Sequence, residues 1–247
     1  VILIVSTVCL TQSGTSAWEP ITEERLRHPK AGDWLSYRRR DDVFAFSPLT
    51  QINRANVKNL RPVWSYPVQD DSRWVPTPIV ANGIMYVSEG KGRVVAFDVA
   101  SGEIKWIHTR TYPEDIRASQ AYPRARGVSI YEDKIFWGTA DSFLVALDAR
   151  TGKQIWQVQT ADYKKGVGHS HPPLIADGKV IVGFLGGERE VRGALAAYDA
   201  NTQVLFRSAV PTGLSVIPLS AAVGETVAAT VALTTDYSVP MLGIPTY

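Results

Sequence analysis

Between residues 79 and 206 the chain repeats one pattern of apolar runs and polar turns three times in phase. Each unit opens on two β-branched runs joined by a tight turn: Ile79-Val80-Ala81-Asn82-Gly83-Ile84-Met85-Tyr86-Val87, then Val128-Ser129-Ile130-Tyr131-Glu132-Asp133-Lys134-Ile135-Phe136-Trp137, then Leu174-Ile175-Ala176-Asp177-Gly178-Lys179-Val180-Ile181-Val182. Asn-Gly and Asp-Gly between such runs predict hairpins, because both turn residues must take positive φ. A second turn follows in each unit: Ala96-Phe97-Asp98 before Ser101-Gly102-Glu103 and Trp106, Ala146-Leu147-Asp148 before Thr151-Gly152-Lys153 and Trp156, and Ala197-Tyr198-Asp199 before Thr202-Gln203 and Phe206. The Asp carboxylate can accept from the turn backbone, and Gly supplies the left-handed conformation. Four strands per unit of about 40 to 50 residues predict a blade of a β-propeller. Trp64 reads as an earlier member of the aromatic series, and each large aromatic is expected to pack between neighbouring blades. Three in-phase copies argue against an unrelated β-sandwich.

The fold class predicted is therefore all-β, an incomplete propeller of about three to four blades, since propellers close with about four to eight. The expected organisation is a leader over residues 1–17, a lead-in segment over 18–63, blades over 64–206 with repeats around 79–106, 128–156 and 174–206, and an atypical tail over 207–247. From Arg207 to Tyr247 the chain is rich in Ala, Val, Thr and Ser, has no tryptophan, and carries only Arg207, Glu225 and Asp236 as charges. This loss of pattern suggests a truncated or frameshifted reading of a longer gene, or else a short protein whose tail forms two unusual strands.

Composition changes this picture little. The 247 residues are 45% apolar and 20% charged with a formal charge of +2, which excludes disorder and gives no electrostatic basis for nucleic-acid binding. The cluster Arg38-Arg39-Arg40, followed by Asp41-Asp42, reads as a solvated loop. Cys9 is the one cysteine, so no internal disulfide or cysteine-based metal site can form. The apolar run from Val1 to Leu10, followed by a small polar stretch with Thr15 and Ala17 spaced like a cleavage site, resembles a secretory signal peptide without its charged n-region. A lipid-modified Cys9 and an internal apolar stretch are the alternatives. Ten residues cannot span a bilayer, so any membrane association would run through this N-terminal segment as an anchor.

The repeat Ala-x-Asp-x-x-Thr-Gly-Lys-x-x-Trp resembles the tryptophan-docking motif of the pyrroloquinoline quinone (PQQ) dependent alcohol dehydrogenases, which are eight-bladed periplasmic propellers. The lead-in is in character too, with Asp33-Trp34, Phe46-Ser47-Pro48-Leu49, Ile52-Asn53, Asn56-Val57, Leu60 and Trp64. The most specific match is Gly186-Gly187-Glu188-Arg189-Glu190-Val191-Arg192-Gly193, similar to the stretch that carries the family's first calcium-ligating glutamate. The resemblance implies PQQ and calcium, or a lanthanide, as cofactors, with Glu188 as a metal ligand. A hard cation prefers carboxylate oxygen, and PQQ is a flat quinone with three carboxylates. Gly186 and Gly187 would let backbone approach it, Arg126 would pair with a carboxylate, and Ser170 matches a hydroxyl position contacting the cofactor. Glu190 reads as a surface residue. His169 and His171 are expected to share one side of an extended segment; a zinc pair there would lack a third ligand.

The function implied is oxidation of a small alcohol with electrons passed to cytochrome c or a quinone, in a periplasmic or secreted location. Departures qualify it. Val75 stands where the family has a glutamate, Gln120 and Ala121 stand where many members carry adjacent cysteines, and the third turn has lost its glycine. The family's catalytic aspartate and asparagine metal ligand fall beyond the resemblance, so no residue here takes the general-base role, and the chain by itself is expected to be inactive. A non-enzymatic propeller scaffold of the outer-membrane assembly type and a quinoprotein sugar dehydrogenase are the alternative readings.

Overall fold

The computed structural model describes residues 18–40, 44–68, 75–116, 126–187, 193–209, 215–219 and 229–233, the side chains only as far as residue 205. Three four-stranded antiparallel meanders follow one another in the chain. The first comprises β1 (Ile79–Ala81), β2 (Ile84–Glu89), β3 (Arg93–Asp98) and β4 (Ile104–Thr109); the second β5 (Ser129–Tyr131), β6 (Lys134–Gly138), β7 (Phe143–Asp148) and β8 (Gln154–Gln159); the third β9 (Leu174–Ala176), β10 (Lys179–Gly183), β11 (Leu195–Asp199) and β12 (Leu205–Ala209). The three repeats are thus three propeller blades. After them β13 (Ser215–Leu219) pairs antiparallel with β14 (Ala229–Leu233) as a separate two-stranded sheet.

The turns form for the reasons their residues suggest. Asn82 and Gly83 have φ of 52° and 73°, and Asp177 and Gly178 have 49° and 64°. In the second turn type, Asp98 Oδ1 accepts from the amides of Ala100 and Ser101 and from Ser101 Oγ at 3.1, 2.9 and 3.0 Å, and Asp148 and Asp199 repeat the arrangement. Those amide and hydroxyl bonds, led by the Ser101 amide, hold the Asp98 carboxyl below its ordinary value. Gly102 and Gly152 take φ of 72° and 69°, and Gln203 is forced into the same region at 58°.

Alternation along each strand supplies two buried faces. Ile135, Trp137, Val145 and Leu147 face the first blade, where they meet Tyr86, Val94 and Trp106; Phe136, Leu144 and Ala146 face the third, where they meet Val180, Val182 and Tyr198. Ala96 lies in register between Tyr86 and Trp106, and Ala146 between Phe136 and Trp156. The small residue lets the two rings close over it, at centroid separations of 5.8 and 5.7 Å.

The aromatic series joins the blades as expected. Trp64 Nε1 donates to Val99 O at 3.0 Å, Trp106 to Ala149 O at 3.0 Å and Trp156 to Ala200 O at 3.2 Å, each acceptor lying one residue after the turn Asp of the next blade. The fourth member needs correction. Ala197 pairs with Arg207, so Arg207 and not Phe206 occupies the register position of Trp106 and Trp156.

The first strands lie innermost, since they approach one another directly. Thr77 bridges Gly127 in parallel, and Ser129 Oγ donates to Pro173 O. The lead-in crosses these strands: Trp34 exchanges two 2.8 Å bonds with Val80, and Ile21 bonds Glu132 at 2.9 and 2.7 Å. Its short helix α1 (Glu23–Arg27) is capped by Thr22, and Arg25 is clamped on Asp33 at 2.9 and 3.1 Å. The arginine cluster is not simply solvated. Arg39 is buried at φ 73° and its Nη2 reaches both Pro29 O and Lys30 O at 3.2 Å, a multi-donor guanidinium serving two converging carbonyls.

Candidate functional site

Antiparallel pairing brings the starts of the first strands to the same end of the blades as the β2–β3, β6–β7 and β10–β11 connections. Three segments converge there. Gly127, at φ 138°, packs where an added Cβ would lie 3.3 Å from Thr77 O and 3.4 Å from Pro172 Cγ. Arg126 beside it is exposed, and its Nη1 lies 3.4 Å from His171 Nε2. Gly168 bridges Leu185, whose amide donates to Gly168 O at 2.9 Å, so the 168–172 segment runs against the start of the 185–187 segment. Gly186 is buried at φ 128°, and Gly187 is exposed with open space above its Cα.

Ser170 sits among these segments at 4% exposure, and its Oγ has no hydrogen-bond partner among the described residues. A buried hydroxyl left unmade costs about 1–3 kcal/mol, which a ligand acceptor would recover. The sequence-selected residues Arg126, Ser170, Gly186 and Gly187 thus lie at one end of the blades, within segments that touch. Glu188, Glu190, Gln120 and Ala121 lie outside the described residues, as do residues 1–17. Val75, two residues before Thr77, is exposed, so an apolar side chain stands at this rim.

The two histidines do not share a side. Residues 169–171 form no strand: His169 points inward at 2% exposure, while His171 is exposed against Arg126. His169 Nδ1 meets Gly183 O at 2.7 Å and Nε2 meets Thr160 Oγ1 at 2.7 Å, so neither ring nitrogen is available to a metal. Burial pushes its pKa down to about 4; at His171, exposed on one side, partial desolvation by the packed neighbours followed by the Arg126 charge also lowers it. Among the described residues no group of three His, Cys, Asp or Glu side chains could hold a metal ion.

One element of this end is not evident from spacing. Arg110, just past β4, crosses to the β6–β7 turn of the next blade: its Nη2 lies 2.6 Å from Asp141 Oδ2, its Nε donates to the same carboxylate at 3.0 Å, and its Nη1 reaches Gln157 Oε1 at 2.8 Å. Thr139 Oγ1 donates to Asp141 Oδ1 at 2.6 Å, and the guanidinium lies 4.2 Å over the Phe143 ring. The available signal is that Arg110 follows the docking Trp106 by one helical or two strand repeats, which names no partner.

Comparison with known proteins agrees with the propeller fold. The family described as "PQQ: Glucose/ethanol/alcohol dehydrogenase, beta-propeller domain" matches residues 34–205. The chain belongs to this family. It is 37% identical over 182 residues to the dehydrogenase subunit of a quinone alcohol dehydrogenase from Gluconobacter oxydans, covering 71% of this chain and 24% of that one. It is 38% identical over 170 residues to 1-butanol dehydrogenase (cytochrome c) from Thauera butanivorans, covering 68% and 25%. A europium-containing methanol dehydrogenase superposes with a TM-score of 0.72 at 33% identity, over 77% of this chain and 34% of that one. The chain spans about a quarter of the length of these sequence relatives.

Proposed function

We propose that the chain forms the first blades of a PQQ-dependent alcohol dehydrogenase and supplies one wall of its cofactor site. The observation that carries this reading is the buried Ser170 Oγ, without a partner among the described residues, between the Arg126 rim and the Gly186-Gly187 backbone. When bound, PQQ would supply a hydride acceptor for the alcohol and a calcium or lanthanide ion would supply Lewis-acid polarisation. Arg126 would hold a cofactor carboxylate through its planar guanidinium fork, and Ser170 would donate a hydrogen bond to a cofactor oxygen. Gly186 and Gly187 would leave room for a flat ring system against the main chain, and Glu188 would hold the metal.

The substrate is a small alcohol, and the acceptor is cytochrome c or a quinone, a reading supported by the relative from Thauera butanivorans whose name includes cytochrome c. No residue of this chain matches the family's catalytic aspartate, so proton removal from the alcohol is assigned to sequence outside it. The purified chain is therefore expected to show no dye-linked alcohol oxidation with added PQQ and calcium. Turnover under those conditions would overturn the assignment of the base. The leader over residues 1–17 directs the protein to the periplasm or out of the cell, and N-terminal sequencing of the mature protein should find cleavage after Ala17.

A further inference from the structure

We propose that His169 is a positioning residue that sets Ser170 and the Gly186-Gly187 backbone in one geometry by tying the second and third blades together. The inference rests on the cofactor reading above and adds a residue which that reading does not use. The imidazole is 2% exposed and spans two blades. Its Nδ1–H donates to Gly183 O at the end of β10, and its Nε2 accepts from the hydroxyl of Thr160 beyond β8, both at 2.7 Å.

These bonds select one neutral tautomer, because a carbonyl can only accept. The Thr160 hydroxyl lies 2.7 Å from Nε2 and 2.8 Å from Ser142 O and has one proton to give; Ser142 O also receives the Thr160 amide at 2.8 Å, so the tautomer that donates from Nδ1 to Gly183 O takes the hydroxyl proton at Nε2. The backbone is held as tightly. The His169 amide donates to Thr139 O at 3.0 Å, and Ser142 Oγ donates to Val167 O at 2.9 Å. Space has been cleared for the ring and its loop: a Cβ on Gly138 would lie 2.8 Å from His169 Cβ, and one on Gly168 would lie 2.6 Å from Ala140 O. The ring also packs on Phe184 at 5.1 Å.

The consequence is geometric. The residue after His169 is Ser170, and the residue before it, Gly168, accepts the Leu185 amide next to Gly186. One buried ring therefore fixes both the hydroxyl and the backbone that face the cofactor. A side chain lacking these polar atoms leaves Gly183 O without its partner and frees the two segments to shift independently.

The test compares the full chain with His169→Leu, His169→Asn, which keeps a donor near the Nδ1 position, and Thr160→Val, a milder change that retains the ring. Amide hydrogen exchange is read at Leu185, with Ala200, whose amide donates to Gly178 O in the same blade, as reference. PQQ affinity in the presence of calcium is read by tryptophan fluorescence. The expected result is that His169→Leu speeds Leu185 exchange at least tenfold relative to Ala200 and weakens PQQ at least tenfold, that Thr160→Val does so partially, and that His169→Asn recovers both to within about threefold. Equal acceleration at Leu185 and Ala200 would mean a purely structural role and would overturn the proposal. Wild-type binding unchanged by His169→Leu and Thr160→Val would overturn it while leaving the cofactor reading intact. A wild-type chain with no PQQ affinity would remove the cofactor reading and the proposal with it.

Discussion

Substituting Gly152 by alanine strikes the joint between the first two blades. At φ 69° the position is left-handed, where an L-residue costs about 1 kcal/mol. The added Cβ would lie 2.5 Å from Trp106 Cε3 and 2.6 Å from Cδ2, backed by a turn whose amide is bonded to Asp148 O at 2.8 Å. The indole must move, because the turn cannot. Moving it strains the Trp106 donor bond to Ala149 O, about 1–3 kcal/mol for a buried donor left unmade, and overpacks a core that includes Tyr86, for about 1–3 kcal/mol more. The alanine's lower unfolded-state entropy returns about 0.5–1 kcal/mol. The net loss expected is about 2–6 kcal/mol. Urea unfolding followed by tryptophan emission measures it, with exchange of the Trp106 indole proton reporting the local joint. A loss below about 1 kcal/mol would refute the reasoning, since it would mean that ring and turn separate at no cost.

Gln203 occupies the corresponding turn of the third blade at φ 58°, and because the relief of about 1 kcal/mol is offset by about 0.5–1 kcal/mol of added unfolded-state entropy, Gln203→Gly should stabilise the chain by no more than about 0.5 kcal/mol in the same urea experiment. Asp141→Asn removes the buried charge facing Arg110, and the unfolding midpoint should fall by an amount equivalent to about 2–4 kcal/mol, with less effect in 1 M salt than for an exposed pair. His169 gives a pH signature. Its pKa is held at about 4 against an ordinary 6.5, so the unfolded chain takes up a proton that the folded one refuses. This contribution is complete above pH 6.5 and is lost as pH falls from 6.5 towards 4, by about 3 kcal/mol in total. Unfolding midpoints measured across that window should flatten in His169→Asn.

The blades are legible in the sequence because they are local. A hairpin needs only its two turn residues and the runs beside them, and an Asp-x-x-Thr-Gly turn is complete within five residues, so Asp98 and Asp148 could be placed without knowing what they pack against. The docking tryptophans are legible because their spacing repeats. Phe206 misleads for the same reason: it keeps the 50-residue interval, but the register counted from the turn puts Arg207 in the docking position. Features made by chain crossings are not legible. Arg39 looks like one of three solvated arginines until the carbonyls of Pro29 and Lys30 converge on it, and Asp141 looks like a turn residue until Arg110 arrives from the neighbouring blade. Ser170 illustrates the intermediate case. Its place in the motif could be matched, but its burial without a partner is a property of three packed segments.

The central claim is that these blades carry one wall of a PQQ site, and equilibrium binding of PQQ to the purified chain, with calcium and separately with a lanthanide, tests it most directly. Saturable, metal-dependent quenching of tryptophan fluorescence is predicted, weakened at least tenfold by Arg126→Gln, by Ser170→Ala and by Glu188→Ala, and unchanged by Lys153→Gln in the exposed turn at the opposite end of the blades. Absence of saturable binding, or binding indifferent to all three site substitutions, would contradict the account and favour a propeller scaffold without a cofactor.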